Sequence, residues 1–177
     1  NANVSLKLTH MGLEIDETVT KQMVGELVAH AARVKNFVRI DMENSPYTEA
    51  TIEILETLRG LGFTAVGTVI QSCLLRSPAD VDRLNRLGAR VRLVKGAYRE
   101  PKAVAHHRLD EVNAAFIALA KTLLDHNPFP AIATHDPALI DAVKAHVAAR
   151  DIDRTGFEFQ MLYGIRRDLQ GQLLAEG

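Results

Sequence analysis

The 177-residue sequence is 47% hydrophobic and 24% charged, a composition typical of a globular domain that can bury a sizeable core. Its 21 basic residues nearly balance its 22 acidic residues, so it has neither the basic excess of a nucleic-acid-binding protein nor an acidic tail. The single cysteine, Cys73, excludes an internal disulfide, and no apolar run approaches the roughly 20 residues that a membrane-spanning helix needs.

The first predicted unit is a strand over residues 4–11 followed by a helix over residues 16–36. The strand is predicted because apolar and polar side chains alternate along it, as they do in a strand with one buried face. In the helix, apolar residues recur at helical spacing and predict a single buried stripe. That stripe is expected to consist of Val19, Met23, Leu27 and Ala31.

The rest of the chain repeats this order of strand and helix. Further strands are predicted over residues 37–43, 64–71, 90–97, 128–135 and 157–162. Helices are predicted to begin at Ser45-Pro46, Ser77-Pro78 and Asp136-Pro137, with others through Val112 to Leu123 and over 168–175. Because no hairpin signal separates the strands, the pattern favours parallel pairing through helical crossovers.

Polar residues on one face of the predicted strands distinguish a barrel from an open sheet. Strands buried on both faces of an open sheet are almost continuously apolar, whereas these strands carry charged residues at alternate positions. The sequence therefore predicts an α/β fold of the (β/α)8 TIM-type barrel class, with residues 1–177 as a single partial domain holding about six of the eight units. No Gly-x-Gly-x-x-Gly follows a strand, so the dinucleotide-binding fingerprint is absent.

Lysine and arginine residues near strand ends suggest two kinds of site. Lys95, at the end of a buried strand, is a candidate Schiff-base lysine of a class I aldolase, or a structural lysine paired with a carboxylate. Arg166-Arg167 is a candidate clamp for a substrate carboxylate, or an exposed pair at a helix start. Both alternatives stay open from the residues alone.

Acidic residues and a histidine near strand ends suggest a third kind of site. The candidate ligands for a divalent cation are Asp41, Glu43, His135 and Asp136. These residues lack a tight ligand spacing, so interior hydrogen bonding and, for Asp136, helix capping are the alternatives.

Six segments of the chain resemble, in the same order, the successive strand motifs of the proline dehydrogenase family. They read SLKLT at 5–9, DME at 41–43, VIQS at 69–72, RLVKGAY at 92–98, ATHD at 133–136 and FEFQMLYG at 157–164. The resemblance implies a distorted (β/α)8 barrel that holds FAD and oxidises L-proline to 1-pyrroline-5-carboxylate. It also implies that electrons pass to a quinone and that the enzyme is cytoplasmic or peripheral on the inner face of the membrane, without a nucleic-acid partner.

The resemblance assigns roles residue by residue. Lys7 is expected to pair with the proline carboxylate, Asp41 to hold the charged network, and Arg92 to lie by the flavin N5 edge. Tyr98 and Leu162 are expected to form walls of the substrate slot. The residues expected to bind the cofactor are Gln71, Arg92, Lys95, Gly96, Ala97, Thr134 and His135, of which Gln71 holds the flavin ring and Thr134 and His135 the ribityl and phosphate side. No metal site is expected.

Two departures from the family pattern bear on these expectations. Cys73 stands where the family usually has an aromatic residue. Counterparts of the family's first strand, and of its last strand and final helix with paired arginines, are not found between Asn1 and Gly177. The natural protein is therefore expected to extend at both ends, to roughly 250 barrel residues, and residues 1–177 alone are expected to be poorly soluble and inactive towards proline. A class I aldolase-like barrel and a non-catalytic barrel fragment are the alternative functions.

Overall fold

The computed structural model describes residues 3–177 as six parallel strands, each followed by a helix. The strands are β1 (Val4–Leu6), β2 (Val38–Ile40), β3 (Val66–Gln71), β4 (Arg90–Val94), β5 (Ala131–Ala133) and β6 (Glu158–Gln160). The helices are α1 (Glu17–Arg33), α2 (Thr48–Gly60), α3 (Ser77–Leu87), α4 (Leu109–His126), α5 (Pro137–Ala149) and α6 (Arg167–Glu176). None of the helices in this part of the chain is both long and apolar enough to cross a lipid bilayer. The predicted order of strand–helix units is confirmed.

The strands pair in chain order, from β1 to β6, and the sheet curls into part of a barrel. A doubly wound open sheet would instead reverse its strand order at a switch point. The register places Val4 beside Val38, Val38 beside Val66, and Gly67 beside Arg90. Consecutive parallel pairing without a reversal confirms the predicted partial barrel.

The two faces of the curled sheet have different chemistry. Apolar residues on the outer face pack against the helices in one buried cluster that includes Ile40, Leu93 and Ile132. The alternate positions face the barrel interior and include charged residues such as Arg39 and Arg92. The polar positions noted in the sequence therefore lie on the concave side.

Five of the six strands end earlier than the alternation of residues predicts, whereas β3 ends at Gln71 as predicted. Residues 4–11 were expected to form one strand, but β1 ends at Leu6 and Thr9–Met11 forms a 3-10 helix. The chain turns here because Leu8 enters the core and Gly12, with φ of 94°, ends the turn in the left-handed region. The same shortening leaves Lys95, His135 and Leu162 in loops just beyond their strands.

The predicted buried stripe of α1 is wrong at its first two positions, whereas Ala31 is buried as predicted and Leu27 packs half-buried against the core. The buried residues are Thr20, Val24, Val28 and Ala31. Val19 and Met23 are 48% and 45% exposed instead. The stripe can include Thr20 because its single hydroxyl proton has two carbonyl acceptors within reach, Asp16 at 2.9 Å and Met11 at 3.1 Å, and a hydrogen bond to either offsets the cost of burying it.

Candidate active site

One cavity of about 920 Å³ opens at the carboxyl ends of the strands, where barrels of this class carry their active sites. The structure brings together around it all of the residues to which the family resemblance assigned a substrate or cofactor role. They are Lys7, Asp41, Gln71, Arg92, Lys95, Gly96, Ala97, Tyr98, Thr134, His135 and Leu162. They come from all six strand ends, so no local spacing in the sequence could have joined them.

Arg92 and Asp41 form the ion pair at the centre of the cavity. Arg92 Nη1 lies 2.9 Å from Asp41 Oδ1, and Arg92 Nη2 lies 3.4 Å from the hydroxyl of Ser5. Burial raises the pKa of Asp41 above its ordinary value, although Arg92, Arg39 and Lys7 all act to lower it. Arg92 Nε is buried and has no hydrogen-bond partner within residues 3–177. A buried donor without a partner costs roughly 1–3 kcal/mol, so this edge of Arg92 suits an additional acceptor.

Arg39 provides a second buried cation inside the curled sheet. Its Nη1 donates to the carbonyl oxygen of Thr68 at 3.3 Å, and its guanidinium lies 5.2 Å from the centre of the Phe37 ring. Burial, followed by the neighbouring charge of Arg92, lowers the pKa of Arg39 to about 10, so it stays protonated at neutral pH. The sequence placed Arg39 on the inner face but gave it no role.

Lys95 is held in an ion pair at the start of α5. Its Nζ donates to Asp136 Oδ2 at 2.9 Å, while Asp136 Oδ1 caps the helix by accepting from the Ala138 amide. The hydrogen bond from Lys95 is the main cause that lowers the pKa of Asp136. This geometry favours the structural lysine over the Schiff-base lysine.

The neighbouring loops are also tied down by hydrogen bonds. His135 Nε2 accepts from the amide of Leu162 at 2.9 Å, and this contact joins the exits of β5 and β6. The Thr134 hydroxyl accepts from the Asp136 amide at 3.1 Å. Tyr98 and Leu162 lie at the rim of the cavity and are exposed.

Gly96 allows a close approach that no other residue would permit. Its φ is +106°, and an added Cβ would lie 2.4 Å from Cys73 Sγ and 3.1 Å from Gln71 Oε1. Burial is the main cause that raises the pKa of the Cys73 thiol, so the thiol is protonated at neutral pH and packs as a small apolar group. The cysteine at position 73, where the family usually has an aromatic residue, therefore packs directly against Gly96.

Glu43 takes the interior hydrogen-bonding role that was the alternative to a metal ligand. Its carboxylate accepts from the Thr9 amide at 3.1 Å and from the Thr9 hydroxyl at 2.7 Å, and its carbonyl oxygen accepts from Gln71 Nε2 at 2.9 Å. The signal for this role in the sequence is the position of Glu43 at the end of a predicted strand, two residues after Asp41.

The suggested divalent-cation site is not assembled. The candidate ligands are each engaged elsewhere: Asp41 with Arg92, Glu43 with Thr9, Asp136 with Lys95, and His135 with Leu162. Within residues 3–177, no three His, Cys, Asp or Glu side chains are grouped closely enough to hold a metal ion. The suggested carboxylate clamp is not assembled either, since Arg166 pairs with Asp168 at 3.0 Å and neither Arg166 nor Arg167 lines the cavity.

Comparison with known proteins identifies relatives along the whole chain. A family model described as proline dehydrogenase matches residues 1–177. The proline dehydrogenase of Deinococcus radiodurans is 42% identical over 178 residues, covering 98% of this chain and 57% of that protein. Proline dehydrogenase 2 of Bacillus subtilis is 37% identical over 177 residues, covering 100% of this chain and 58% of that protein. The chain thus spans somewhat more than half the length of these relatives.

The solved structures give the same result for the fold. Proline utilization A (PutA) from Bdellovibrio bacteriovorus, in a crystal structure described as inactivated by N-propargylglycine, superposes with a TM-score of 0.88 at 25% identity. The match covers 98% of this chain and 21% of that much longer protein.

Proposed function

The chain belongs to the proline dehydrogenase family, and from that premise we propose that its protein is an FAD-dependent enzyme that oxidises L-proline to 1-pyrroline-5-carboxylate. The observation that carries the proposal is that every residue to which the resemblance assigns a substrate or cofactor role lines the same cavity. A quinone as electron acceptor, and a location in the cytoplasm or on the inner face of the membrane, are further parts of the proposal.

Three features of the cavity fit a flavin. Arg92 Nε is a buried donor that needs an acceptor, Gly96 leaves the backbone bare at the end of β4, and the volume of about 920 Å³ lies within the range of ligand sites. When bound, the flavin supplies a two-electron acceptor for hydride. Arg92 and Gln71 would hold its ring, and Thr134 and His135 its ribityl and phosphate side. Lys95, Gly96 and Ala97 would contact it from the β4 exit.

The remaining residues suit an amino-acid substrate with a negative carboxylate. The ammonium of Lys7 would anchor that carboxylate, while Asp41 keeps the Arg92 guanidinium in place through their 2.9 Å contact. Tyr98 and Leu162 at the rim would keep water from the proline ring. Oxidation removes a hydride from C5 and a proton from nitrogen, so the chain's main task is to hold the ring in one orientation.

A class I aldolase is the rival enzyme class, because it too would use a cation at the end of a barrel strand. Against it, Lys95 already forms an ion pair with Asp136, whereas a nucleophilic amine must be neutral. A non-catalytic barrel fragment is the third possibility, and it would need none of the buried charges in the cavity.

The intact protein that contains this chain tests the proposal directly. We expect the purified protein to absorb visible light as oxidised flavins do, to release FAD on denaturation and to reduce a dye acceptor only when proline is present. An aldolase would instead be trapped by borohydride together with its substrate, and a non-catalytic barrel would do neither. A colourless preparation that releases no flavin, with or without dye reduction, would contradict the proposal.

A further inference from the structure

Glu43 joins two separate parts of the cavity wall without lining the cavity itself. It lies just past β2 and is 8% exposed. Both oxygens of its carboxylate are used by Thr9, one by the amide and one by the hydroxyl. Its own carbonyl oxygen accepts from the side-chain amide of Gln71.

The contact with Thr9 fixes the segment that carries Lys7. Strand β1 ends at Leu6, so Lys7 has no sheet hydrogen bonds of its own to set its position. Two residues later, the Thr9 amide opens the short helix Thr9–Met11, and at that point a helix has no internal acceptor to offer it. The carboxylate of Glu43 supplies the acceptor.

The buried side chain of Leu8 completes the attachment. Leu8 is inside the core and Thr9 is bonded to Glu43, so both residues that follow Lys7 are immobilised. The direction in which Lys7 enters the cavity is therefore set by contacts outside the cavity. Glu43 also accepts a hydrogen bond from Gln71, which lies at the end of β3. Lys7 follows β1 and Asp41 follows β2, so Glu43 contacts residues on both sides of Asp41 in the strand order.

We propose that Glu43 is a positioning residue that fixes the ammonium of Lys7 at the correct place for the substrate carboxylate. This inference rests on the proposed function, because it takes Lys7 to be the carboxylate anchor. Glu43 acts through the geometry of its bonds to Thr9 and not through its charge.

Four variants of the intact, FAD-loaded protein separate position from charge. Glu43→Ala removes both bonds to Thr9, whereas Glu43→Gln removes the charge but can still accept from the Thr9 amide and donate to the Thr9 hydroxyl. Thr9→Val removes only the hydroxyl and provides a milder change if Glu43→Ala does not fold. Glu53→Ala, at an exposed residue on α2, is the matched control for loss of a carboxylate.

The measurement is the KM for proline compared with the KM for pyrrolidine, which lacks the carboxylate. We expect Glu43→Ala to raise the KM for proline roughly tenfold and Thr9→Val to raise it a few-fold, because a hydrogen bond to a charged group is lost in each. The KM for pyrrolidine should change little in either variant. Glu43→Gln and Glu53→Ala should stay within about twofold of the parent for both substrates.

Two results with the Glu43 variants would overturn the inference. The variant Lys7→Ala serves as a reference, because it shows whether the positioning role or the proposed function has failed. Equal effects of Glu43→Ala on proline and pyrrolidine, when Lys7→Ala affects proline alone, would overturn the positioning role only. An impairment by Glu43→Gln as large as that by Glu43→Ala would show that charge is what matters. If Lys7→Ala itself fails to distinguish proline from pyrrolidine, the anchor assignment is wrong and the inference fails with it.

Discussion

Arg92 and Arg39 place two guanidinium groups inside the curled sheet, and the carboxylate of Asp41 pairs with Arg92. Burial is the main cause that lowers the pKa of Arg39, and the positive charge of Arg92 lowers it further. The side chains that line the cavity carry one more positive than negative charge, namely Lys7, Arg92 and Lys95 against Asp41 and Asp136. Such a surplus favours an anionic substrate and any negative charge that develops next to Arg92 during the reaction.

The first prediction is that Arg92→Met, made in the intact protein that contains this chain, lowers kcat with proline about 100-fold while the protein still binds FAD. The expected size follows because a preorganised donor to a developing negative charge is typically worth a factor of roughly 100–1,000. Steady-state kinetics and the flavin content of the purified variant are the measurements.

Arg90→Met is the matched control for this prediction. Arg90 lies two residues earlier on the same strand, but its guanidinium packs on Phe37 and Phe129 and does not line the cavity. We expect near-normal turnover from this variant. Unchanged turnover in Arg92→Met, or an equal loss in Arg90→Met, would rule out a specific role for Arg92.

At the scale of an element, α5 begins with a residue that serves both as helix cap and as ionic partner. Asp136 Oδ1 accepts from Ala138, and Asp136 Oδ2 accepts from Lys95. The pKa of Asp136 lies below its ordinary value of 3.8, chiefly because of Lys95. The ion pair therefore contributes its stability at neutral pH, and this stability is lost as the pH falls below about 4 and through the lowered pKa of Asp136.

The second prediction uses Asp136→Asn, which keeps the capping acceptor but removes the charge. At pH 7 we expect the variant to be less stable by up to about 1 kcal/mol, since the pair is partly exposed. The difference should shrink as the pH falls below about 4 and through the lowered pKa of Asp136. Urea denaturation of both proteins across this range checks the prediction, and a difference that does not vary with pH would assign the effect to the cap instead.

The third prediction concerns the pairing of β3 with β4. An added Cβ at Gly67 would lie 2.3 Å from the carbonyl oxygen of Arg90 and 2.8 Å from the Phe37 ring. Because the first neighbour is backbone in a paired strand, it cannot move without disturbing the register. We expect Gly67→Ala to lower the free energy of unfolding by roughly 3 kcal/mol.

Gly171→Ala is the control for this third prediction. Gly171 lies inside α6 and an added Cβ there meets no atom within 4 Å, so the change should stabilise the protein by about 0.5–1 kcal/mol. Thermal or urea unfolding of the two variants gives the comparison. A Gly67→Ala variant as stable as the parent would contradict the close packing of β3 against β4.

The order and type of the elements could be predicted from sequence because the spacing between apolar residues differs clearly between strands and helices. The details that failed are those that tertiary contacts decide. Thr20 replaces Val19 in the buried face of α1 because its hydroxyl finds two carbonyl acceptors, and one of them belongs to Met11 outside the helix. Periodicity carries no information about such a contact.

At the scale of the whole molecule, the residues of the candidate site could be named from motif resemblance, but their mutual geometry could not. Thr9 and Glu43 are 34 positions apart, and Lys95 and Asp136 are 41 apart. Each pair meets only when neighbouring strands lie in register and end at the same edge of the sheet. The sequence alone leaves Glu43 and Asp136 as candidate metal ligands, whereas in the folded sheet they bond to Thr9 and Lys95.

Both margins of the sheet are open in the part of the chain that the structure describes. β1 pairs only with β2, and β6 pairs only with β5. β6 also borders an apolar groove of about 800 Å³ lined by side chains that include Phe157, Met161 and Leu173. Unpaired strand edges beside apolar surface promote association between copies of a chain.

The fourth prediction is that residues 1–177, produced by themselves, self-associate through these edges. Val4→Lys should reduce the association, because a charged side chain on an edge strand discourages pairing. Val4 is 47% exposed on β1. The matched control is Val34→Lys, at a residue 57% exposed just after α1 and outside any strand. Sedimentation velocity at several concentrations should show a smaller average mass for Val4→Lys alone. If both substitutions reduce the mass equally, exposed apolar surface and not the strand edge drives the association, and a monomer in the parent would refute the prediction altogether.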